Sequence, residues 1–355
     1  MILNKKTFVE KELFLEKFLV IDTDKMKIVK SKNYNYTFDK RNGFFQRWGN
    51  TKEQDPEFSM FGPEILDMEI SEVCKRGCKF CYKDNKALGK NMSLEQVKII
   101  LPKVKHSICQ VAYGIGDISG NPELFEILKY TREIGLIPNI TINGRITENQ
   151  ADEMLKYIGA CAVSYYDIDE CYNAVKMLSD KGLKQTNIHY FLSQQTYDEA
   201  FKVLKDIKTD TRLSKLNAIV FLSLKKKGRA IQNNYTSVTN EQFKSLVEYC
   251  LKNDINFGFD SCSAVKFDNS IVGLENEKQL LQISERCESS LFSAYINVEG
   301  KYSPCSFCEG CQNWEEGLQI TSETDFSKDV WFNPKTVEFR NSLLKRNREC
   351  PIYEV

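Results

Sequence analysis

The chain has no uninterrupted apolar stretch that could serve as a signal peptide or a membrane span. Its 355 residues open on Met1-Ile-Leu-Asn-Lys-Lys, with charges interspersed from the start. A signal peptide or a membrane-spanning helix would need a continuous apolar run, so a cytoplasmic protein without a membrane partner is expected. It also has no excess charge: Lys and Arg together number 49, and so do Asp and Glu. That balance removes any global electrostatic case for binding nucleic acid or an anionic membrane. Low-complexity tracts and short-period repeats are missing, which argues against a solenoid. The cysteines, thirteen in all, cannot all be paired. In a reducing compartment, clustered thiols bind metal more often than they pair.

Three of those thiols fall within Cys74-Lys-Arg-Gly-Cys78-Lys-Phe-Cys81, directly after a short apolar and acidic run over 65–70. Three thiolates fill three corners of a tetrahedral or cuboidal metal centre and leave the fourth open to a small molecule, whereas a structural metal site is closed. An iron–sulfur cube with one free iron suggests an enzyme. Zinc bound through the Cys78/Cys81 pair is the alternative, and a disulfide framework is the other routine use of so many thiols.

The length exceeds a typical single domain, so one large domain with an appendage is expected. Residues 1–62 form the appendage. A charged amphipathic segment over 8–18, alternating runs over 18–29 and 35–38, a turn at Arg41-Asn42-Gly43 and an aromatic patch over 44–48 predict a small β-hairpin unit. The polar stretch 49–63, with two prolines, reads as a linker.

From Glu64 onward strands and helices alternate. Strands are predicted over 65–70, 108–113, 137–142, 162–166, 186–192 and 218–224. Between them Ser93-Leu-Glu-Gln96, Thr147-Glu-Asn-Gln150, Thr196-Tyr-Asp-Glu199 and Thr239-Asn-Glu-Gln242 open helices, and Asn121-Pro122 predicts an N-cap followed by proline. Another helix over 168–181 stops at Gly182. Six successive β/α units demand a mainly parallel sheet with right-handed crossovers, and reactive groups then gather at the carboxyl ends of the strands. The fold class is therefore α/β, a partial (β/α)6 TIM-like barrel over 63–260, with the cysteine loop at its mouth.

These features resemble the radical S-adenosylmethionine superfamily, whose signature is Cys-x3-Cys-x2-Cys after the first strand of a partial (β/α)6 barrel. The resemblance spans about 64–260. Phe80 stands at the aromatic position before the last cysteine, which in the family packs near the adenine. Gly116-Asp117 corresponds to the end of the family's Gly-Gly-Glu motif, aligned through Asn121-Pro122-Glu123-Leu124. Here the sequence departs from the family, with Ile115 in place of the first glycine and an acid one methylene shorter. Thr141-Ile142-Asn143-Gly144 is similar to the Thr-x-Asn-Gly at the end of strand three, Ser164 to a serine near the cofactor, and Lys227-Gly228-Arg229 to the Gly-Arg turn of the auxiliary-cluster subgroup.

What the resemblance implies is a [4Fe–4S] cluster on Cys74, Cys78 and Cys81, with S-adenosylmethionine chelating the open iron. Phe80, Gly116, Asp117, Asn143, Ser164 and Arg229 would contact that cofactor. Electron transfer from the reduced cluster would break the S–C5′ bond, and the 5′-deoxyadenosyl radical would abstract hydrogen from substrate. The protein would supply orientation and exclude competing reactions, with flavodoxin or ferredoxin as reductant.

In the last third the alternation lapses and cysteines return, at Cys262, Cys287, Cys305, Cys308, Cys311 and Cys350 before Pro351. The run from Cys287 through Gly300 to Cys305 resembles the opening of SPASM and twitch domains, which hold auxiliary iron–sulfur clusters. Residues 293–298 and 301–303 around Glu299-Gly300 make a hairpin that would bring the two thiols together. A small domain over 261–355 with one auxiliary cluster follows from that resemblance, with Cys287, Cys305 and Cys350 as ligands and the fourth from Cys262, Cys308 or Cys311. A four-cysteine zinc knuckle is the alternative.

Tyr165, Tyr166 and His189 lie on predicted barrel strands and are candidate catalytic groups. A packing role for the tyrosines, and a hydrogen-bonded structural role for the histidine, are the competing readings. Cys109, Cys161, Cys171 and Cys250 read as packing residues. The leading functional expectation is a radical oxidoreductase or maturase that modifies a peptide or protein side chain. A small-molecule or nucleotide substrate is the second, and a non-catalytic iron–sulfur regulatory or scaffold protein the third.

Overall fold

A computed structural model describes residues 7–13, 16–51 and 53–355, with side chains from Glu16 onward. The amphipathic segment expected over 8–18 therefore lies partly outside the described residues. Its described backbone is extended. Strands β1 (Thr7–Leu13), β2 (Glu16–Asp22), β3 (Met26–Lys30), β4 (Asn35–Asp39) and β5 (Phe45–Trp48) form an antiparallel meander in chain order. The predicted hairpin is thus one part of a five-stranded sheet. Alternation along β2, β3 and β4 buries Phe18, Val20, Val29, Tyr36 and Phe38, which pack with Phe61, Phe292 and Leu343 into a core of their own. The meander is also pinned to the main body by polar bonds: Lys27 Nζ donates to the Lys105 and Ile108 carbonyls at 2.6 Å, and Tyr36 Oη donates to Ser107 O.

The main body alternates as expected. In order come β6 (Ile65–Ser71), α1 (Leu94–Val104), β7 (Gln110–Ile115), α2 (Leu124–Glu133), β8 (Ile137–Ile142), α3 (Glu148–Leu155), β9 (Cys161–Ser164), α4 (Ile168–Asp180), β10 (Thr186–Leu192), α5 (Tyr197–Thr209) and β11 (Ala218–Ser223). A short α6 (Arg229–Gln232) and α7 (Asn240–Lys252) lead to β12 (Phe257–Phe259). The boxes at Ser93, Thr147 and Thr239 make both reciprocal bonds with their Gln partners. Asn121 does more than the predicted cap. Its Oδ1 accepts from Glu123 N at 2.9 Å at the approach to α2, while its Nδ2 donates to Ile70 O at 2.7 Å and Met92 O at 2.9 Å, tying the end of β6 to the entry of α1.

Strands β6 to β12 are all parallel, in the order of the chain. The last of them, only three residues long, is too brief for alternation to reveal. After α8 (Ala264–Ser270) and α9 (Glu277–Leu281), β13 (Ser293–Ile296), β14 (Lys301–Ser303) and β15 (Leu318–Gln319) precede α10 (Pro334–Lys345). The predicted 293–303 hairpin is present, and β13 also pairs parallel to β6, Ser293 opposite Ile65 and Ile296 opposite Met68. The carboxyl-terminal segment therefore continues the barrel's sheet, and β6 is an interior strand.

Candidate functional site

Along β6 the side chains alternate. Leu66, Met68 and Ile70 are buried in the hydrophobic core, whereas Asp67, Glu69 and Ser71 line a cavity of about 400 Å³ inside the parallel strands. Past Ser71 the chain enters the cysteine loop, and Cys74, Cys78 and Cys81 line that same cavity.

Protein bonds shape the loop along its whole length. Cys74 N donates to Lys86 O at 2.8 Å, and Lys75 N donates to Asp117 Oδ2 at 2.8 Å. Arg229 N donates to Cys81 O at 3.0 Å, and Asn233 Nδ2 donates to Lys79 O at 3.0 Å. Two glycines permit the close approach. A Cβ on Gly116 would lie 2.4 Å from Val73 O and 2.5 Å from Cys74 Cβ. At Gly228, φ is +58° and a Cβ would meet the Cys81 and Tyr82 carbonyls at 2.5 Å. Burial raises the Cys74 and Cys78 thiols, while Arg76 acts in the opposite sense on Cys78; both thiols also sense the charge of their neighbours in the triplet. Among the described residues, no three Cys, His, Asp or Glu side chains are placed to hold a single metal ion.

Of the residues expected at the cofactor, Phe80, Gly116, Asn143, Ser164 and Arg229 line the cavity. Phe80 stacks on Phe191 at 4.3 Å and lies 5.6 Å from Tyr166. Asp117 is not among the lining residues. Its carboxylate is spent on the loop, accepting from Lys75 N and, at 2.6 Å, from Asn143 Nδ2. Tyr165, Tyr166 and His189 also line the cavity. Tyr165 Oη donates to Glu199 at 2.8 Å, and Arg76 lies over the Tyr166 ring at 4.6 Å. Burial lowers His189 to about 4, against a smaller opposing effect of Asp260, so its imidazole is neutral near pH 7.

Against the end of the cysteine loop, the carboxyl-terminal segment closes the cavity with Tyr295, Ser306 and Phe307. Lys83 pairs with Glu69 at 2.9 Å and with Glu309, and Tyr295 Oη donates to Glu69 at 3.0 Å. Tyr82 stacks on Phe307 at 4.3 Å. Lys227 Nζ donates to the Ser306, Phe307 and Glu309 carbonyls at 3.0, 3.2 and 2.5 Å. The later thiols gather behind this wall. Cys287, Cys305, Cys308 and Cys350 interact electrostatically, and Cys262 senses Cys287 and Cys305. Cys305 Sγ and Cys308 Sγ share a hydrogen bond at 3.4 Å, and it holds Cys305 below the ordinary thiol range and Cys308 above it. Cys311 turns aside, to Phe307 O at 3.5 Å and Tyr353 Oη at 3.2 Å.

Sequence reading missed Asp67, Glu69, Lys83 and Asp260, all on the cavity wall, where Lys225 joins them. The period-two alternation of acids in Ile65-Leu-Asp67-Met-Glu69-Ile70-Ser71 carried the signal for the first two. Burial, then Cys305 and Glu288, raise Asp67 to about 7. Burial acts to lower the Lys225 ammonium, but its partner Asp260 together with Cys262 and Cys305 leaves it raised.

The donor set fits an iron–sulfur group with an organic ligand beside it. Soft thiol sulfurs face the cavity, Gly116 leaves their loop room at the strand ends, and Asn85 Oδ1 and Arg229 Nε, both on the wall, are buried without a hydrogen-bond partner. Scans against protein-family models and against curated proteins give no match. Among solved structures, the chain is similar to Streptococcus suis SuiB bound to precursor peptide SuiA, with 14% identity, 89% of each chain covered and a TM-score of 0.67. It is likewise similar to SuiB bound to S-adenosylmethionine and to SuiB alone, each with 16% identity, 79% of this chain and 68% of that chain covered, and a TM-score of 0.60. At these identities the likeness establishes a shared fold.

Proposed function

We propose that this chain is a radical S-adenosylmethionine enzyme that acts on a peptide or protein side chain. The observation that carries the reading is the placement of Cys74, Cys78 and Cys81, which follow the first parallel strand and open onto a cavity at the carboxyl ends of the strands. The shared fold with SuiB, a protein crystallised with S-adenosylmethionine and with a precursor peptide, supports both the cofactor and the substrate class. When bound, the cluster and S-adenosylmethionine would supply a radical able to take a hydrogen atom from an unactivated carbon.

The chain's own residues bind, orient and shield. Phe80 and Phe191 present an aromatic face to a purine, Asn85 Oδ1 offers an unspent acceptor to the cofactor's ammonium, and Arg229, whose Nε is ion-paired with Asp84 at 3.5 Å but makes no hydrogen bond, offers its guanidinium to the carboxylate. Gly116 O is held by Asn143 Nδ2 at 3.1 Å. Asp117 is a positioning residue that braces the cysteine loop rather than the ligand. Ser164 stays with the cofactor contacts, Tyr166 lies beside Phe80 near the cysteine triplet, and His189 lines the same cavity in its neutral form.

A second cluster on Cys287, Cys305 and Cys350, with a fourth thiol from Cys262 or Cys308, belongs to the same proposal. Flavodoxin or ferredoxin is the expected reductant, and the cytoplasm the expected setting; among the described residues no helix is long and apolar enough to cross a membrane.

Anaerobically reconstituted protein given reductant and S-adenosylmethionine is expected to form 5′-deoxyadenosine, and Cys74→Ala to abolish it. Failure of well-loaded wild-type protein to form it under several reductants sinks the reading. Iron near roughly eight per chain is expected for two cubes, and about four with one zinc overturns the second cluster.

A further inference from the structure

Each cation lining the cavity already has a carboxylate. Arg76 pairs with Glu170, Lys83 with Glu69 and Glu309, Lys225 with Asp260, and Arg229 with Asp84 at 3.5 Å. Asp67 is the acid left over. Among the described residues it makes no hydrogen bond and no ion pair; the charged groups it senses, Cys305 and Glu288, are potential anions. It nevertheless keeps accessible surface, because the cavity reaches it. The wall therefore presents one uncompensated acid, and thiolate-ligated iron–sulfur clusters, which carry net negative charge, would add to that imbalance.

Asp67 also lies deep. It precedes Ser71 by four residues on β6, about 13 Å along the strand, while the cysteine loop begins beyond Ser71. A group bound at the cysteine triplet is thus at the opposite end of the strand from this carboxyl. Without a cation beside it burial favours the neutral carboxyl, and an occupant with a positive nitrogen on a chain long enough to reach inward would hold it as the carboxylate.

We propose that Asp67 is a specificity determinant that accepts a primary ammonium group of the substrate, on an aminoalkyl chain such as that of a lysine residue. The inference rests on the functional reading above and names the substrate class for the same site. Glu69 and Asp260 do not compete for the ammonium, since Lys83 and Lys225 hold them, and Tyr295 and His189 border the path without adding charge.

Anaerobically purified, cluster-loaded protein saturated with S-adenosylmethionine is titrated calorimetrically with N-acetyl-lysine N-methylamide, with its uncharged counterpart N-acetyl-norleucine N-methylamide, and with cadaverine against 1-pentanol. Wild-type protein is expected to favour the charged member of a pair by about tenfold or more, Asp67→Asn to reduce that preference to about twofold or less, and Asp67→Glu to retain part of it. Preference for the lysine amide identifies a peptide side chain as the source, and preference for cadaverine alone a free amine. Melting temperature and iron content of each variant identify any that fails to fold, and Asp67→Glu then carries the comparison. The inference is overturned if wild type shows no preference in either pair, if Asp67→Asn keeps it undiminished, or if the charged probes displace S-adenosylmethionine. Formation of 5′-deoxyadenosine is measured on the same wild-type preparation; its absence removes the radical reading, whereas amine preference stands or falls on the titrations.

Discussion

At the scale of single residues, the cavity's behaviour follows from burial. His189 titrates near 4 in the fold against an ordinary 6.5, so the unfolded chain takes up a proton first as the pH falls. Between about 6.5 and 4 the unfolded state binds more protons, and stability declines through that window. His189→Gln should lack this component. The difference in unfolding free energy between variant and wild type is expected to shift by about 2 kcal/mol in the variant's favour from pH 7 to pH 4.5, measured by urea denaturation. Gly116→Ala would force its Cβ against Val73 O and Cys74 Cβ, with a loss of about 1–3 kcal/mol and a sharp fall in bound iron, read by denaturation and iron assay. The cysteine triplet and its glycines were legible because their chemistry is written in residue type and spacing. Asp117 was not. Its sequence neighbours mark the end of a strand, but the direction its carboxylate takes depends on a backbone amide 42 residues away, at Lys75.

At the scale of elements, β6 serves the core and the site at once, and its two faces explain how. Alternation gives the core Leu66, Met68 and Ile70 and gives the cavity two acids and a serine. Glu69 is tolerated in the interior because Lys83 and Tyr295 meet it. Lys83→Met leaves Glu69 and Glu309 without their cation and is expected to cost about 3–5 kcal/mol in chemical denaturation, whereas Tyr295→Phe, which removes one hydrogen bond, costs about 1 kcal/mol. Six strands and three reciprocal capping boxes could be read from local pattern, since hydrophobic period and caps are local properties. The brevity of β12 hid it, and so did the double duty of Asn121, whose partners Ile70 and Met92 are remote in sequence.

At the scale of the whole molecule, the feature that sequence could not reveal is the parallel pairing of β13 with β6. Nothing in a four-residue strand states which of two sheet edges it will join. The result is one ten-stranded sheet that runs from the parallel strands into the carboxyl-terminal segment. Removing residues 287–355 would strip β6 of a partner and expose Leu66-side core together with the contacts of Leu291, Phe292 and Trp331. The truncated chain is expected to be insoluble or to sediment as aggregates, measured by soluble yield and analytical ultracentrifugation. The meander would be lost with it, because Phe292 and Leu343 complete the core beneath β2, β3 and β4.

The three carbonyls gathered on Lys227 Nζ bear on the order of assembly. An ammonium supplied by the barrel already fixes the turn between Cys305 and Cys311, as Arg229 and Asn233 fix the turn between Cys78 and Cys81. Both cysteine loops therefore take their shape from polar bonds within the polypeptide. Clusters held there, as proposed, would be delivered to loops that the folded chain has already set.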